Sequence, residues 1–202
     1  MAIAGGAAVS VVLQRTRSIG VEVPNSPVIE KILGDRDAPR LERPNQDVTL
    51  VVFTDYQCPA CRGANGAMQR AIAADLRVGV IFKDWPIFGE RSRNAARAAI
   101  AASFQGRYAA FHDALMRSPT LLDSDGIRAV AASVAIDWNK LQEDMREEQG
   151  RIEGILRQTA VDAFALGLRG TPGYLANRVL TEGALGEAEF ERLFARARRA
   201  DD

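Results

Sequence analysis

Residues 48–61 constrain this chain more than any other stretch of its sequence. The run VTLVVFT at 48–54 carries no charge and consists almost entirely of β-branched and aromatic residues, which predicts a strand buried on both faces. Cys58 and Pro59 follow after a short polar break. Proline suits the first position of a helix, because its φ is already fixed and it lacks the N–H that would go unpaired there. We therefore predict that a buried strand passes into a helix at Cys58.

This position favours reactivity of the Cys58 sulfur. The free N–H groups and the dipole at the start of a helix stabilise a thiolate. Cys61 lies one turn further along the same helix face, so it can close a disulfide with Cys58 or resolve a mixed disulfide formed there. We predict thiol–disulfide exchange at this pair. The alternatives for this spacing are an inert disulfide and half of a metal site.

Composition limits the classes of partner and cofactor. The 202 residues fit one domain with an insertion or two small domains, and 47% of them are hydrophobic. Basic and acidic residues number 26 each, so nothing points to nucleic acid as a partner. Both cysteines belong to the motif and there is one histidine. A four-ligand zinc site within one chain would therefore need carboxylates, and we expect neither a metal nor another cofactor.

The first 25 residues are predicted to lie outside the folded domain. Residues 2–13 are apolar and uncharged, but this run is shorter than the roughly 20 residues that cross a bilayer. It resembles the apolar part of a signal peptide or the end of an anchor, although Arg15 and Arg17 follow it. We expect an exported protein, for example a periplasmic one. If the apolar run is the end of an anchor, the protein is also membrane-anchored at its N-terminus. The prolines and charges of residues 16–46 indicate a linker with a short helix near Val28 and Ile32.

A second strand is predicted at residues 77–85, after the motif helix. Strand, helix and strand form a right-handed βαβ unit with parallel strands, and the carboxyl ends of such strands share one edge of the sheet. Trp85, Pro86 and Phe88 are therefore expected beside Cys58. They are either core residues or the lining of an apolar groove for unfolded polypeptide.

The next part of the chain is predicted to be helical as far as about residue 165. Small residues suited to close helix packing recur at Ala95, Ala98, Ala99 and Ala102. Asp137 is a predicted N-cap. His112, beside Phe111, has no partner motif, and we interpret it as a packing or surface residue and not as a catalytic one. A turn at 170–173, a short hairpin around Asn177 and a final amphipathic helix follow.

These motifs together resemble the DsbA family of thiol–disulfide oxidoreductases. The resemblance covers about residues 26–200. The matching stretches are FTDYQCPAC at 53–61, FKDWPIFG at 82–89, NAARAAIAA at 94–102, FHDAL at 111–115 and GTP at 170–172. It implies an α/β architecture, namely a thioredoxin fold with an inserted helical domain. The domain would span residues 26–202, with a thioredoxin core at about 47–89 and 166–202 and the helical insertion at about 90–165.

The resemblance also implies roles for individual residues. Cys58 corresponds to an exposed nucleophile and Cys61 to a buried resolving thiol, with Pro59 and Ala60 between them. Pro172 corresponds to a cis-proline facing the disulfide, and Thr171 to the residue whose backbone pairs with substrate; X-Pro bonds are where cis geometry occurs. The implied partners are unfolded or partly folded proteins that contain cysteine, and a membrane or soluble redox protein.

The sequence departs from the family pattern in two places. Many relatives carry an acidic residue six positions before the first cysteine, where this chain has Val52. The usual acidic neighbour of Lys83 is thus missing, and Asp55, Asp84 or water are the candidates to replace it. Ala60 stands where the strongest oxidants have histidine.

These departures leave three functions open. An oxidase is the first hypothesis, and a reductase or isomerase on the same fold is the alternative. The third is a module in which two chains share a metal or iron–sulfur centre through their cysteines.

Overall fold

The computed structural model describes residues 19–201, so the apolar run at residues 2–13 lies outside the described part. The strands are β1 (Val21–Glu22), β2 (Arg40–Leu41), β3 (Val48–Thr54), β4 (Val78–Asp84), β5 (Gly173–Ala176) and β6 (Val179–Glu182). The helices are α1 (Pro27–Leu33), α2 (Pro59–Ala74), α3 (Glu90–Ser103), α4 (Tyr108–Arg117), α5 (Ser124–Ser133), α6 (Trp138–Glu147), α7 (Gln149–Ala165) and α8 (Glu187–Asp201).

The described strands form one mixed sheet in the order β1-β6-β5-β3-β4-β2. β3 and β4 are parallel neighbours joined through α2, which confirms the predicted βαβ unit. β5 pairs antiparallel with β3 on its other side. β1 lies within the first 25 residues, which were expected to lie outside the folded domain. It instead pairs antiparallel with β6 and forms one edge of the sheet.

The sheet separates two apolar cores. In the first core, Leu50 and Val52 pack with the inner faces of α2 and α8 and with the inserted helices. In the second core, Val51 and Phe53 pack with α1 and α7. Because successive side chains of a strand point to opposite faces, the uninterrupted apolar run of β3 supplies both cores. The two cysteines belong to the first core.

Helices α3 to α6 form the insertion between β4 and α7. The alanines predicted to line a helix contact are buried on α3: Ala95, Ala98, Ala99 and Ala102. Asp137 caps α6 by accepting the Lys140 N–H at 3.0 Å, as predicted. α7 then returns to the sheet, where Ala163 joins the second core. The fold is thus a thioredoxin-type sheet with inserted helices. Of the helices in residues 19–201, none combines the length and the apolar character needed to cross a bilayer.

Candidate active site

As predicted, the chain passes from strand β3 into helix α2 at Cys58. Cys58 is the N-cap of α2, with φ −74° and ψ 116°, and Pro59 occupies the first turn. The Cys61 N–H donates to the Cys58 sulfur at 3.4 Å. An amide at the positive end of a helix thus points at Cys58 Sγ, an arrangement that stabilises the thiolate form.

The loop before β5 closes over this sulfur. The Thr171–Pro172 peptide bond is cis, as the resemblance implied. The Cys58 thiol donates to the Thr171 carbonyl oxygen at 3.3 Å. Three segments therefore meet at Cys58: the end of β3, the start of α2 and the cis-proline loop.

The two cysteines are equally covered, which differs from the expected contrast between an exposed and a buried thiol. Cys58 and Cys61 are both 3% exposed. The Thr171 carbonyl covers the Cys58 sulfur, whereas Pro59 and Ala60 between the cysteines are exposed. The exposed residues of the motif are therefore Pro59 and Ala60, at the rim of the site.

The environment of Cys61 suits a thiol that stays protonated until it is needed. Burial raises the pKa of Cys61 above its ordinary value, and Thr171, Thr54 and the Asp55 backbone lower it by less. Tyr174, two residues after Pro172, lies close to both sulfurs. Burial raises its pKa, and the nearby cysteines raise it further. The raised pKa means that Cys61 holds its proton more tightly than an ordinary cysteine thiol.

Asp55 connects the turn that leads to Cys58 with the neighbouring segments of the chain. The sequence analysis identified this region only as a polar break after β3 and did not predict the connecting role. Its backbone carbonyl accepts the Cys58 N–H at 3.1 Å. Its buried carboxylate accepts four hydrogen bonds, and the donors are the backbone N–H groups of Gln57, Ile87 and Phe88 and the hydroxyl of Ser92.

A buried polar chain runs behind the site in the first core. The Tyr108 hydroxyl donates to both carboxylate oxygens of Asp84, at 2.9 and 3.0 Å. The Tyr56 hydroxyl lies 3.5 Å from that of Tyr108 and 2.9 Å from His112 Nδ1. Burial raises the pKa of Asp84 to about 7, and the charge of Asp55 adds to this rise. Burial lowers the pKa of His112 to about 3, so His112 is a neutral packing residue, as predicted.

The expectation that Lys83 lacks an acidic neighbour is wrong. Its buried ammonium group bonds to Asp35, which follows α1, and to Asp162 of α7 at 2.7 Å. Burial raises the pKa of Asp35, but the hydrogen bond and charge of Lys83, together with the backbone N–H groups of Asp37 and Ala38, lower it by more. Asp55 and Asp84, the suggested substitutes, are bonded elsewhere on the first-core side.

The three groove candidates lie in different environments. Trp85 is buried in the second core, where its ring meets that of Phe164 edge-on at 5.8 Å. Its side chain therefore does not line a groove beside Cys58, because it points to the other face of the sheet. Pro86 is half-buried. Phe88 is 52% exposed and Ile87 is 42% exposed, so these two side chains are the apolar surface on this loop.

Arg62 fixes the insertion to the cysteine turn. Its guanidinium donates to the carbonyl oxygens of Tyr56 at 3.3 Å and Leu115 at 3.2 Å, and also bonds to that of Ser118. These partners are backbone carbonyl oxygens and not the sulfurs of Cys58 and Cys61. In the part of the chain that the structure describes, no three His, Cys, Asp or Glu side chains are arranged to hold a metal ion.

Comparison with known proteins identifies the family. The profile of the DSBA-like thioredoxin domain matches residues 49–195. The chain belongs to this family. A solved DSBA-like relative, a thioredoxin-like oxidoreductase from Silicibacter pomeroyi DSS-3, is 38% identical, with a TM-score of 0.79 over 84% of this chain and 97% of that one. A periplasmic thioredoxin-like protein from Salmonella enterica serovar Typhimurium is 26% identical, with a TM-score of 0.74 over 88% and 99%. This chain therefore carries a DSBA-like thioredoxin domain, with its two cysteines at the start of α2.

Curated relatives of the DSBA-like domain include much longer proteins. The Na(+)/H(+) antiporter NhaA 1 of Mycobacterium sp. (strain KMS) is 28% identical over 159 residues, which cover 76% of this chain and 24% of the antiporter. The chain therefore spans about a quarter of the length of the curated relatives that it matches.

Proposed function

We propose that this protein is a thiol–disulfide oxidoreductase that acts mainly as an oxidase and introduces disulfides into unfolded or partly folded polypeptides. The observation that carries the proposal is the Cys61 N–H, which donates to Cys58 Sγ at the start of α2. A helix N-terminus stabilises the Cys58 thiolate, which exists only in the reduced form. Stabilising the reduced form makes the disulfide a stronger oxidant.

The reaction follows from the positions of the two sulfurs. A substrate thiolate attacks Cys58 of the oxidised pair, the Cys58–Cys61 bond breaks, and its electron pair goes to Cys61, which takes up a proton. A second substrate thiolate then attacks the substrate sulfur of the mixed disulfide. A new substrate disulfide forms, and Cys58 leaves as the thiolate on α2. Two electrons have passed to the enzyme, and a disulfide-bearing redox partner takes them up to regenerate it.

Substrate contacts are proposed on both sides of Cys58. The Thr171 backbone, beside Pro172, offers its polar groups to an extended polypeptide next to the sulfur. Pro59 and Ala60 form the exposed edge between the cysteines. Phe88 supplies apolar surface on the adjoining loop, with Pro86 at its base. A site with one backbone strip and one apolar patch suits unfolded chains of varied sequence.

An exported location fits this reaction, because structural and substrate disulfides persist in oxidising compartments. The Salmonella relative is a periplasmic protein, which supports the same location here. The redox partner is then a membrane or soluble protein of that compartment.

A reductase or isomerase on the same fold is the second candidate. Ala60, an uncharged side chain between the cysteines, favours it, since a charged or donating side chain at that position would further stabilise the reduced form. The reduction potential of the pair separates the two candidates.

Trapping experiments test the exchange mechanism. Cys61→Ser should accumulate mixed disulfides with disulfide-scrambled ribonuclease A, because the Cys58 thiolate attacks a substrate disulfide and releases one substrate thiolate, and no thiol at position 61 resolves the product. Cys58→Ser should form none and should be inactive. Oxidation of ribonuclease A by Cys58→Ser at the wild-type rate would remove Cys58 from the mechanism.

A further inference from the structure

We propose that Asp55 is a positioning residue that holds the apolar loop carrying Ile87 and Phe88 in place beside Cys58 for polypeptide substrates. This inference rests on the proposed function and adds a residue that controls how the polypeptide binds. Neither sulfur nor substrate need touch the Asp55 carboxylate for this role. The carboxylate acts through the two segments that it connects.

On the cysteine side, Asp55 fixes the turn that leads into α2. Its Oδ1 accepts the Gln57 N–H at 2.7 Å. Its carbonyl oxygen accepts the Cys58 N–H at 3.1 Å. The residue before the nucleophile and the nucleophile itself are thus both bonded to Asp55, so its place in the fold sets the direction in which the turn leaves β3.

On the loop side, the same carboxylate holds the chain after β4. Its Oδ2 accepts the Ile87 N–H at 2.6 Å and the Phe88 N–H at 3.1 Å. Both side chains are largely exposed, although their backbone is anchored to a buried group. The Ser92 hydroxyl donates to Oδ1 at 2.7 Å, which extends the anchor into α3. Large apolar side chains held in one position beside a reactive thiol form a preorganised contact for a substrate chain.

The chemistry of these bonds requires a carboxylate. All four partners of the side chain are donors, and an ionised carboxylate is acceptor-only, with about four lone-pair sites. An amide would replace one acceptor oxygen with an NH2 group that faces N–H donors. Asparagine is nearly identical in size to aspartate. Asp55→Asn should therefore release part of the loop that carries Ile87 and Phe88, and it retains both cysteines.

The expected signature is a change in polypeptide binding. Oxidised wild-type protein and Asp55→Asn would each be assayed for turnover with reduced, unfolded ribonuclease A, with oxidised glutathione in excess to regenerate the Cys58–Cys61 disulfide. Each would also be assayed for a single turnover with dithiothreitol, a dithiol too small to reach the loop. For ribonuclease A the KM should rise about tenfold, as expected for the loss of a hydrogen bond to a charged group. The kcat, and the rate with dithiothreitol, should stay within about twofold of wild type.

A double-mutant cycle shows whether Asp55 acts through the loop. Phe88→Ala alone should raise the KM for ribonuclease A. If the loop carries the effect, Asp55→Asn combined with Phe88→Ala should raise KM no further than the larger single change. Additive changes in KM would overturn the proposal.

Two further variants control for loss of stability. Asp162→Asn removes another buried carboxylate, the partner of Lys83, and should lower the free energy of unfolding while leaving KM unchanged. Ser92→Ala deletes one of the four donors and should raise KM for ribonuclease A slightly; it is the decisive variant if Asp55→Asn does not fold. An equal rise in KM for Asp162→Asn, or no rise for either Asp55→Asn or Ser92→Ala, would contradict the positioning role. If the wild type oxidises dithiothreitol but not ribonuclease A, the proposed function itself fails.

Discussion

Lys83 and Asp84 are neighbours on β4, but their side chains enter opposite faces of the sheet and meet different partners. Lys83 bonds to two carboxylates in the second core. Asp84, on the face that carries the cysteines, receives its hydrogen bonds from the Tyr108 hydroxyl. Burying a charge is unfavourable unless the charge is paired or the group becomes neutral. The second core uses pairing, whereas Asp84 has a pKa raised to about 7.

Lys83 and its two carboxylates thus form a structural polar group, whereas Asp84 is a group whose charge depends on pH. The ion pairs of Lys83 join β4 to α7 and to the segment that follows α1. Asp84 changes its charge near neutral pH, beside Asp55 and the cysteine turn. Groups with strongly shifted pKa values concentrate where proteins carry out chemistry, and here the contrast lies between two consecutive residues.

Removal of the Lys83 ammonium should have the largest effect on stability. Lys83→Met leaves the buried Asp162 and the half-buried Asp35 without their cation. We therefore expect the free energy of unfolding to fall by roughly 3–5 kcal/mol. Urea denaturation at neutral pH measures it. Arg70→Met is the control, because its pair with Glu187 is exposed; it should cost less than about 1 kcal/mol. Equal losses in the two variants would contradict the pairing account.

Asp84→Asn should remove a pH dependence. Since the pKa of Asp84 is about 7 in the folded protein and ordinarily 3.8, the folded state binds the proton more tightly. The wild type therefore loses stability as the pH rises between these two values. The free energy of unfolding of the variant, relative to wild type, should rise by up to about 4 kcal/mol across this range. A difference that does not change with pH would show that Asp84 is not the titrating group.

Tyr108→Phe should sharpen the same pH dependence. It removes the hydroxyl that donates to Asp84, so the ionised carboxylate loses its hydrogen bonds. We expect a loss of about 1–3 kcal/mol in the free energy of unfolding at about pH 8, and a smaller loss at about pH 5, where Asp84 is protonated. A larger loss at the lower pH would argue against this reading of the polar chain.

Gln158→Leu is the matched change in the second core and should have the smallest effect. Gln158 donates to Asp162 at 2.6 Å, as Tyr108 donates to Asp84. Because Lys83 still neutralises Asp162, we expect a loss of about 1 kcal/mol. The loss should be equal at the two pH values used for Tyr108→Phe. A strong pH dependence would remove the distinction between the two faces.

Short sequence motifs predicted those parts of the site whose structure depends on a few neighbouring residues. The apolar run of β3, Pro59 after Cys58 and the Gly-Thr-Pro turn each act over a few residues. The transition from β3 to α2 and the βαβ unit were predicted from these motifs. The cis bond before Pro172 followed from the family resemblance, and the structure contains it.

Contacts between distant residues were beyond the reach of these patterns. Asp35 is 48 and Asp162 is 79 residues from Lys83 in sequence, and only the packing of α1 and α7 on the sheet brings them together. Trp85 is a different case, because alternation along β4 contained the signal. Residues of one strand two apart share a face, so Trp85 follows Lys83 and Ile81 into the second core.

The reduction potential of the Cys58–Cys61 pair, measured by equilibration with glutathione, tests the central claim most directly. The claim is that the α2 N-terminus stabilises the reduced form, while Ala60 adds no further charge. We expect a value between about −270 mV, the potential of thioredoxin, and about −120 mV, that of DsbA. Ala60→His should move the potential upward, towards the DsbA value. A potential at or below that of thioredoxin would contradict the oxidase and leave a reductase in its place.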